Sequence, residues 1–180
     1  MGFQHYSGPA NKFPGKDQWK DFKHIFDLNK PEMGKTGNTA DDINHIWSGV
    51  SKVAKEEGVE ERVIFCIIMQ ESTGNVGVRT TTNMDGHGTA GLMQCDGSPG
   101  FPGRHGLSQD EITSMIRAGT KHFKANLAEN GNKRDAECIY KSFRCYNSGS
   151  CNPNNLSDGK GATNDYVSDM ANRLCGRLPY

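Results

Sequence analysis

Apolar residues along this chain mostly recur three or four positions apart, the spacing of one helix face. In 17–28, DQWKDFKHIFDL, Trp19, Phe22, Ile25 and Phe26 form such a stripe. Pro31, Gly34 and Gly37 then mark 29–38 as a loop. At Thr39 the capping pattern T-A-D-D opens a second helix, with Ile43, Ile46, Trp47, Val50 and Val53 on one side and a stop at Gly58. The next stretch, VEERVIFCIIMQESTG, is apolar on every side from Val63 to Met69. It predicts a helix buried in the core, ending near Gly74.

The period then changes. Residues 76–95 run VGVRTTT, a turn at NMDGHG, and TAGLMQC, which reads as a small β-hairpin. A glycine- and proline-rich loop over 96–106 follows. Ser108 and Glu111 make another capping box, with Ile112, Met115, Ile116, Phe123 and Leu127 on one side of the helix behind it. Two further helices are expected over 135–146 and 164–175, the last capped by Thr163 and ended by Gly176. Residues 1–16, rich in Gly, Pro and Lys, read as a flexible N-terminal arm, and 17–180 as one domain. The fold class is α+β, mostly helical, with a minor β element after a central buried helix.

Composition narrows the function classes. With 21 basic and 21 acidic residues spread along the chain, the protein lacks the basic surplus of a nucleic-acid binder. The run Val63–Met69 is far too short to span a bilayer, so no membrane partner is expected. Six cysteines, Cys66, Cys95, Cys138, Cys145, Cys151 and Cys175, form no CxxC pair; neither a metal site nor a cofactor is expected. An even count at scattered spacing fits the disulfides of a secreted protein, read here as a mature chain behind an initiator Met. Connectivity is open except at one pair. Cys138 and Cys145 lie seven apart on one expected helix, about 10 Å at ~1.5 Å per residue, beyond a disulfide's Cα reach of about 7 Å. The sequon Asn155-Leu156-Ser157 falls in an expected exposed loop.

Three carboxylates carry the candidate chemistry. Glu71 ends the most apolar helix, where desolvation favours the protonated form a general acid needs. Asp85 and Asp96 follow within one short β excursion, among glycines that let a polymeric ligand approach the backbone. A protonated carboxyl facing ionised ones across a groove is the arrangement of glycoside hydrolysis. The glycines do not make a phosphate loop, since no G-K-[ST] follows, and no βαβ unit supports a dinucleotide turn.

Four segments then match one family in order: QESTGN (70–75), GLMQ (91–94), YNSG (146–149) and DYVSDMANR (165–173). Together they resemble the signature blocks of goose-type lysozymes and of the soluble lytic transglycosylase domain, over about Thr39 to Cys175, roughly three quarters of the chain. An Asp on each side of GLMQ is closer to the lysozymes, and the texture is similar to fungal secreted muramidase-like proteins. The resemblance implies a lysozyme-like fold whose β-hairpin flanks a glycan cleft, and cleavage of the β-1,4 MurNAc–GlcNAc bond of peptidoglycan, with inversion. By position it makes Glu71 the acid, Asp85 and Asp96 the residues that hold water, and Gln94, Tyr146, Asn147, Tyr166 and His105 lining of the sugar groove. The loop 96–106 is expected to form part of that cleft, with little weight in stability. A monomer with a polysaccharide partner is implied. A lytic transglycosylase, a chitin-active enzyme and a non-catalytic glycan binder stay open as alternatives.

Overall fold

A computed structural model describes residues 2–82 and 86–180. The described chain is mostly helical, with a small antiparallel sheet. The expected single domain is organised as two compact units, one formed by Phe26–His122, the other by the chain up to Ile25 together with Phe123–Tyr180.

The Phe26–His122 unit holds most of helix α1 (Phe22–Gly34), then α2 (Ala40–Glu57) and α3 (Glu61–Ser72). Strands β1 (Thr81–Thr82), β2 (Gly88–Ala90) and β3 (Cys95–Asp96) pair antiparallel in the order β1-β2-β3. Helix α4 (Gln109–Glu129), as far as His122, closes the unit. Local sequence explains these bounds. Thr39 Oγ1 accepts from Asp42 N at 3.0 Å while Asp42 returns the bond to Thr39 N at 2.9 Å, and Gly58 ends α2 at φ 66°. Ser108 and Glu111 bond reciprocally at 3.1 and 2.9 Å to open α4. Along α3, every side chain from Val63 to Met69 is buried, worth about 1.5–3 kcal/mol for each large aliphatic or aromatic one.

Three sequence expectations are corrected here. Helix α1 begins at Phe22, where Asp21 Oδ1 accepts from His24 N at 2.8 Å, and runs through Pro31 to Gly34 instead of yielding to a loop at 29. The fully buried Met33 supplies the packing that overrides proline's lost N–H. The segment GLMQ is not strand. Gly91, at φ 75°, and Gln94, at φ 46°, bound a turn closed by Gln94 N donating to Gly91 O at 3.0 Å. A turn buries both Leu92 and Met93, which an alternating strand would send to opposite faces. The hairpin is accordingly a three-stranded sheet, with Thr81 opposite Thr89 and Thr89 opposite Asp96.

In the other unit, α5 (Ala136–Ser148) and α6 (Tyr166–Leu174) pack together beside the N-terminal segment and the end of α4. Residues 2–16, expected as a loose arm, are seated on them. Gln4 N donates to Asn172 Oδ1 at 2.7 Å, Tyr6 N donates to Ser168 Oγ at 2.9 Å, and Tyr140 OH donates to Pro14 O. Phe13 is buried against the Tyr140 ring, with centroids 5.2 Å apart. Trp19, expected inside a helix, instead follows a short 3-10 turn and donates from Nε1 to Tyr140 OH at 2.9 Å. Helix α6 begins after Asp165, and no side chain caps it, so Thr163 is not its cap.

Candidate functional site

Glu71 sits half-buried in the last turn of α3. The helix stops at Ser72 because Thr73 and Gly74 both turn left-handed, at φ 55° and 72°. Ser72 fixes where this end lies. Its hydroxyl reaches Ile68 O at 3.0 Å in its own helix and Leu92 O at 2.7 Å in the GLMQ turn. Neighbouring Met93 packs into α4 at Gly119, where an added Cβ would lie 2.3 Å from Met93 Cβ. The helix end carrying Glu71 and the turn leading into β3 are thus bolted together, and the turn is seated on α4.

Strand β3 carries Cys95 and Asp96. Burial pushes the Cys95 thiol up to about 11, with the Asp96 and Glu71 charges adding to the rise and the Ser98 hydroxyl opposing it. Asp96 itself is exposed, 3.7 Å from His87 Nδ1. Asp85 lies outside the described residues.

Gln94 is half-buried and committed at both ends of its amide. Nε2 donates to Gly91 O at 3.0 Å and to Arg79 O at 3.2 Å, while Oε1 accepts from Thr81 Oγ1 at 3.1 Å. It braces the sheet. His105 is likewise engaged locally. Its Nε2 lies 2.9 Å from Asn75 Oδ1, which also accepts from Gly77 N at 2.9 Å.

Tyr146, Asn147 and Tyr166 belong to the other unit. Both tyrosines are buried, and Tyr146 meets Phe123 edge-on at 6.2 Å. Asn147 Oδ1 accepts from Thr163 N at 3.0 Å and from the Arg144 guanidinium. Arg144, fully buried, also donates to Leu156 O at 3.2 Å and Asn164 O at 3.4 Å. Burial holds its guanidinium below the usual arginine range. The oxygen of Asn147 is therefore occupied in organising the 156–164 segment. Of the candidate residues, Glu71, Gln94 and Asp96 gather around one helix end and one sheet edge.

Sequence reasoning missed Asp42 as more than a cap. Fully buried, its carboxylate accepts from Thr39 N, Gly106 N and Leu107 N, each at 2.9 Å. Burial pushes the Asp42 carboxyl up; the Gly106, Thr39 and Leu107 amides and the Thr39 hydroxyl outweigh it, and the net direction is down. The same loop is held by Gly103 N donating to Gly77 O at 2.8 Å and by His45 Nδ1, 3.1 Å from Leu107 O. The loop 96–106 is therefore anchored at its far end. Ser72 was visible only as part of an E-S pair, and Gly119 only as a lone glycine inside a helical pattern, the usual mark of close packing.

All six cysteines are free thiols in this structure. Cys138 and Cys145 lie on one helix, as expected. Asn155 of the sequon is exposed and its neighbour Leu156 buried. Among the described residues no helix is long and apolar enough to cross a membrane. No protein-family model and no curated protein matches the chain.

Proposed function

We propose that this chain is a secreted glycoside hydrolase with a lysozyme-like fold, a muramidase that cleaves the β-1,4 MurNAc–GlcNAc bond of peptidoglycan with inversion. The observation that carries the reading is the setting of Glu71. It is a half-buried carboxyl at the exit of a helix whose run Val63–Met69 is wholly buried, tied through Ser72 to the turn before the strand that carries Asp96. In this reading Glu71 gives its proton to the glycosidic oxygen as the leaving sugar departs. Asp96, with Asp85, takes a proton from the water that attacks the anomeric carbon from the opposite face. The order of QESTGN, GLMQ, YNSG and DYVSDMANR supports the choice of peptidoglycan.

One observation favours a second reading, a lytic transglycosylase. Asp96 is exposed and paired with His87, which leaves Glu71 as the more enclosed carboxylate. In that case a hydroxyl or N-acetyl group of the substrate replaces water.

Digestion of purified peptidoglycan and of chitin oligomers, with mass spectrometry of the products, separates these readings. Muropeptides with a reducing end support hydrolysis; products lighter by one water assign transglycosylation; cleavage of chitin alone moves the substrate. Glu71→Gln keeps the shape and removes the proton, so cleavage should fall ~10²–10⁴-fold with the melting temperature and glycan binding kept. Near-normal cleavage by Glu71→Gln would overturn the proposal.

A further inference from the structure

Beyond α5 the chain runs through a series of tight turns, and the one N-x-[ST] triplet of the sequence, Asn155-Leu156-Ser157, lies among them. Asn155 N donates to Asn152 O at 3.0 Å, and Asn155 O accepts from Asp158 N at 3.1 Å. The middle residue is pinned inward. Leu156 is wholly buried, its N–H donates to Gly8 O at 2.8 Å, and its carbonyl accepts from the Arg144 guanidinium at 3.2 Å. Pro153, Asn154 and Asn155 are all exposed. The Asn155 side chain closes an Asx turn, with Oδ1 accepting from Ser157 N at 3.1 Å. That bond fixes which end of the amide faces the backbone, because only the oxygen can accept. Asn155 Nδ2 and the Ser157 hydroxyl make no hydrogen bond among the described residues.

We propose that Asn155 is an N-glycosylation site, taking one oligosaccharide on Nδ2 from a polyprenyl-diphosphate donor as the chain enters a eukaryotic secretory pathway. Nδ2 attacks the anomeric carbon of the donor sugar and forms a carbon–nitrogen bond. The bond from that carbon to the diphosphate oxygen breaks, and the polyprenyl diphosphate leaves with its electron pair. One Nδ2 proton passes to a base of the membrane-bound transferase. The product is a secondary amide with one N–H left and its carbonyl oxygen unchanged. The fold accepts this product because the turn uses Oδ1 and leaves Nδ2 unused, so the bond to Ser157 N survives the transfer. A bulky, solvated glycan belongs at the surface, where Asn155 and the two residues before it stand, while Leu156 keeps the segment seated from beneath. The inference rests on the secreted part of the proposed function and on nothing in its catalytic chemistry.

The full-length chain is exported by a yeast behind a cleavable signal sequence and collected from the medium. It is treated with a peptide-N-glycosidase in heavy-oxygen water, digested with trypsin and mapped. The peptide 145–160, CYNSGSCNPNNLSDGK, should carry a heavy-oxygen aspartate in place of Asn155. Asn155→Gln and Ser157→Ala should each abolish the label, and Ser157→Thr, which keeps the hydroxyl, should retain it. Exported wild-type chain with Asn155 unmodified would overturn the proposal, whether or not that chain cleaves peptidoglycan. Amide exchange tests the geometry. The Ser157 N–H should be equally protected in the glycosylated protein and in the unglycosylated chain made in bacteria; loss of protection on glycosylation would overturn the argument from Oδ1. Immunoblotting of the source cells and their medium tests the secreted reading by itself, since a chain kept inside the cells never meets the donor and would sink that reading and this one together.

Discussion

Asp42→Ala tests the least legible part of the architecture, the anchoring of the loop that follows β3. The substitution removes one acceptor from α2's capping box, a loss of about 0.5–2 kcal/mol. It also removes the acceptor of Gly106 N and Leu107 N, both at 2.9 Å. Hydrogen bonds to an ionised group are worth about 1.5–3 kcal/mol each, and they do not add fully when they share one carboxylate. The expected loss is about 4 kcal/mol, a large part of a domain's total of about 5–15 kcal/mol. For a chain of this length that lowers the melting temperature by about 8–16 °C. Thr39→Ala, which removes the cap hydroxyl and leaves the Gly106 and Leu107 bonds to Asp42 in place, should lose about 1 kcal/mol.

The assay is denaturant unfolding followed by circular dichroism, joined to amide exchange at Gly106 and Leu107. Both amides should be protected in the wild type and exchange freely in Asp42→Ala. The pH dependence carries a sign. The Asp42 carboxyl is held below its ordinary 3.8 in the folded protein. Its contribution is therefore fully present above that value and is lost as pH falls through the lower folded one. Asp42→Asn should be less stable at neutral pH and lack this part of the acid decline. Unaltered protection of Gly106 and Leu107 in Asp42→Ala, or a loss below about 1 kcal/mol by the same measure, would refute the anchoring argument.

Two other substitutions test neighbouring joints. At Gly77 an added Cβ would stand 2.6 Å from Arg104 O and 3.0 Å from Arg104 N, so Gly77→Ala should push the loop from its seat and destabilise the protein by about 1–3 kcal/mol in denaturant unfolding. Ser72→Ala removes the 2.7 Å bond to Leu92 O, about 1 kcal/mol of stability; peptidoglycan turnover should fall by a larger factor than the melting temperature suggests, because the substitution frees the turn that precedes Asp96, and turnover unchanged within twofold would show that the bolt has no bearing on the reaction.

What the sequence makes legible is what neighbours in the chain decide. The capping boxes at Thr39 and Ser108, the left-handed stop at Gly58 and the buried run Val63–Met69 each depend on residues within a turn or two. Contacts between distant positions are what composition conceals. The segment 2–16 looks unstructured by its glycines and prolines, yet its partners Ser168 and Asn172 lie more than 160 positions away. Pro31 looks like a helix breaker until Met33, wholly buried, shows what holds the helix beyond it. GLMQ reads as a strand because Leu and Met suit one; the left-handed φ of Gln94, a residue with no special liking for it, is a tertiary effect, stabilised by the amide's bonds to Arg79 O and Gly91 O.

The same distinction bears on the candidate residues. Side chains that the resemblance assigns to the sugar groove are in several cases already committed. Gln94 braces the sheet, His105 pairs with Asn75, and Asn147 receives the buried Arg144. A polar side chain whose hydrogen bonds are filled internally gains little by exchanging them for a ligand's. What it can do is hold others in place, and a carboxylate pair is useful only when held. Glu71 and Asp96 stand on a helix end and a strand joined through one hydroxyl, and the strand's turn is fixed in turn by Met93 against Gly119. The residues missed by pattern reading, Ser72, Gly119 and Asp42, have no chemistry of their own to betray them. They fix the end of α3, the turn before β3 and the far end of the loop that follows it, and their loss should be read first in exchange protection and, on the proposed glycosidase reading, only then in turnover.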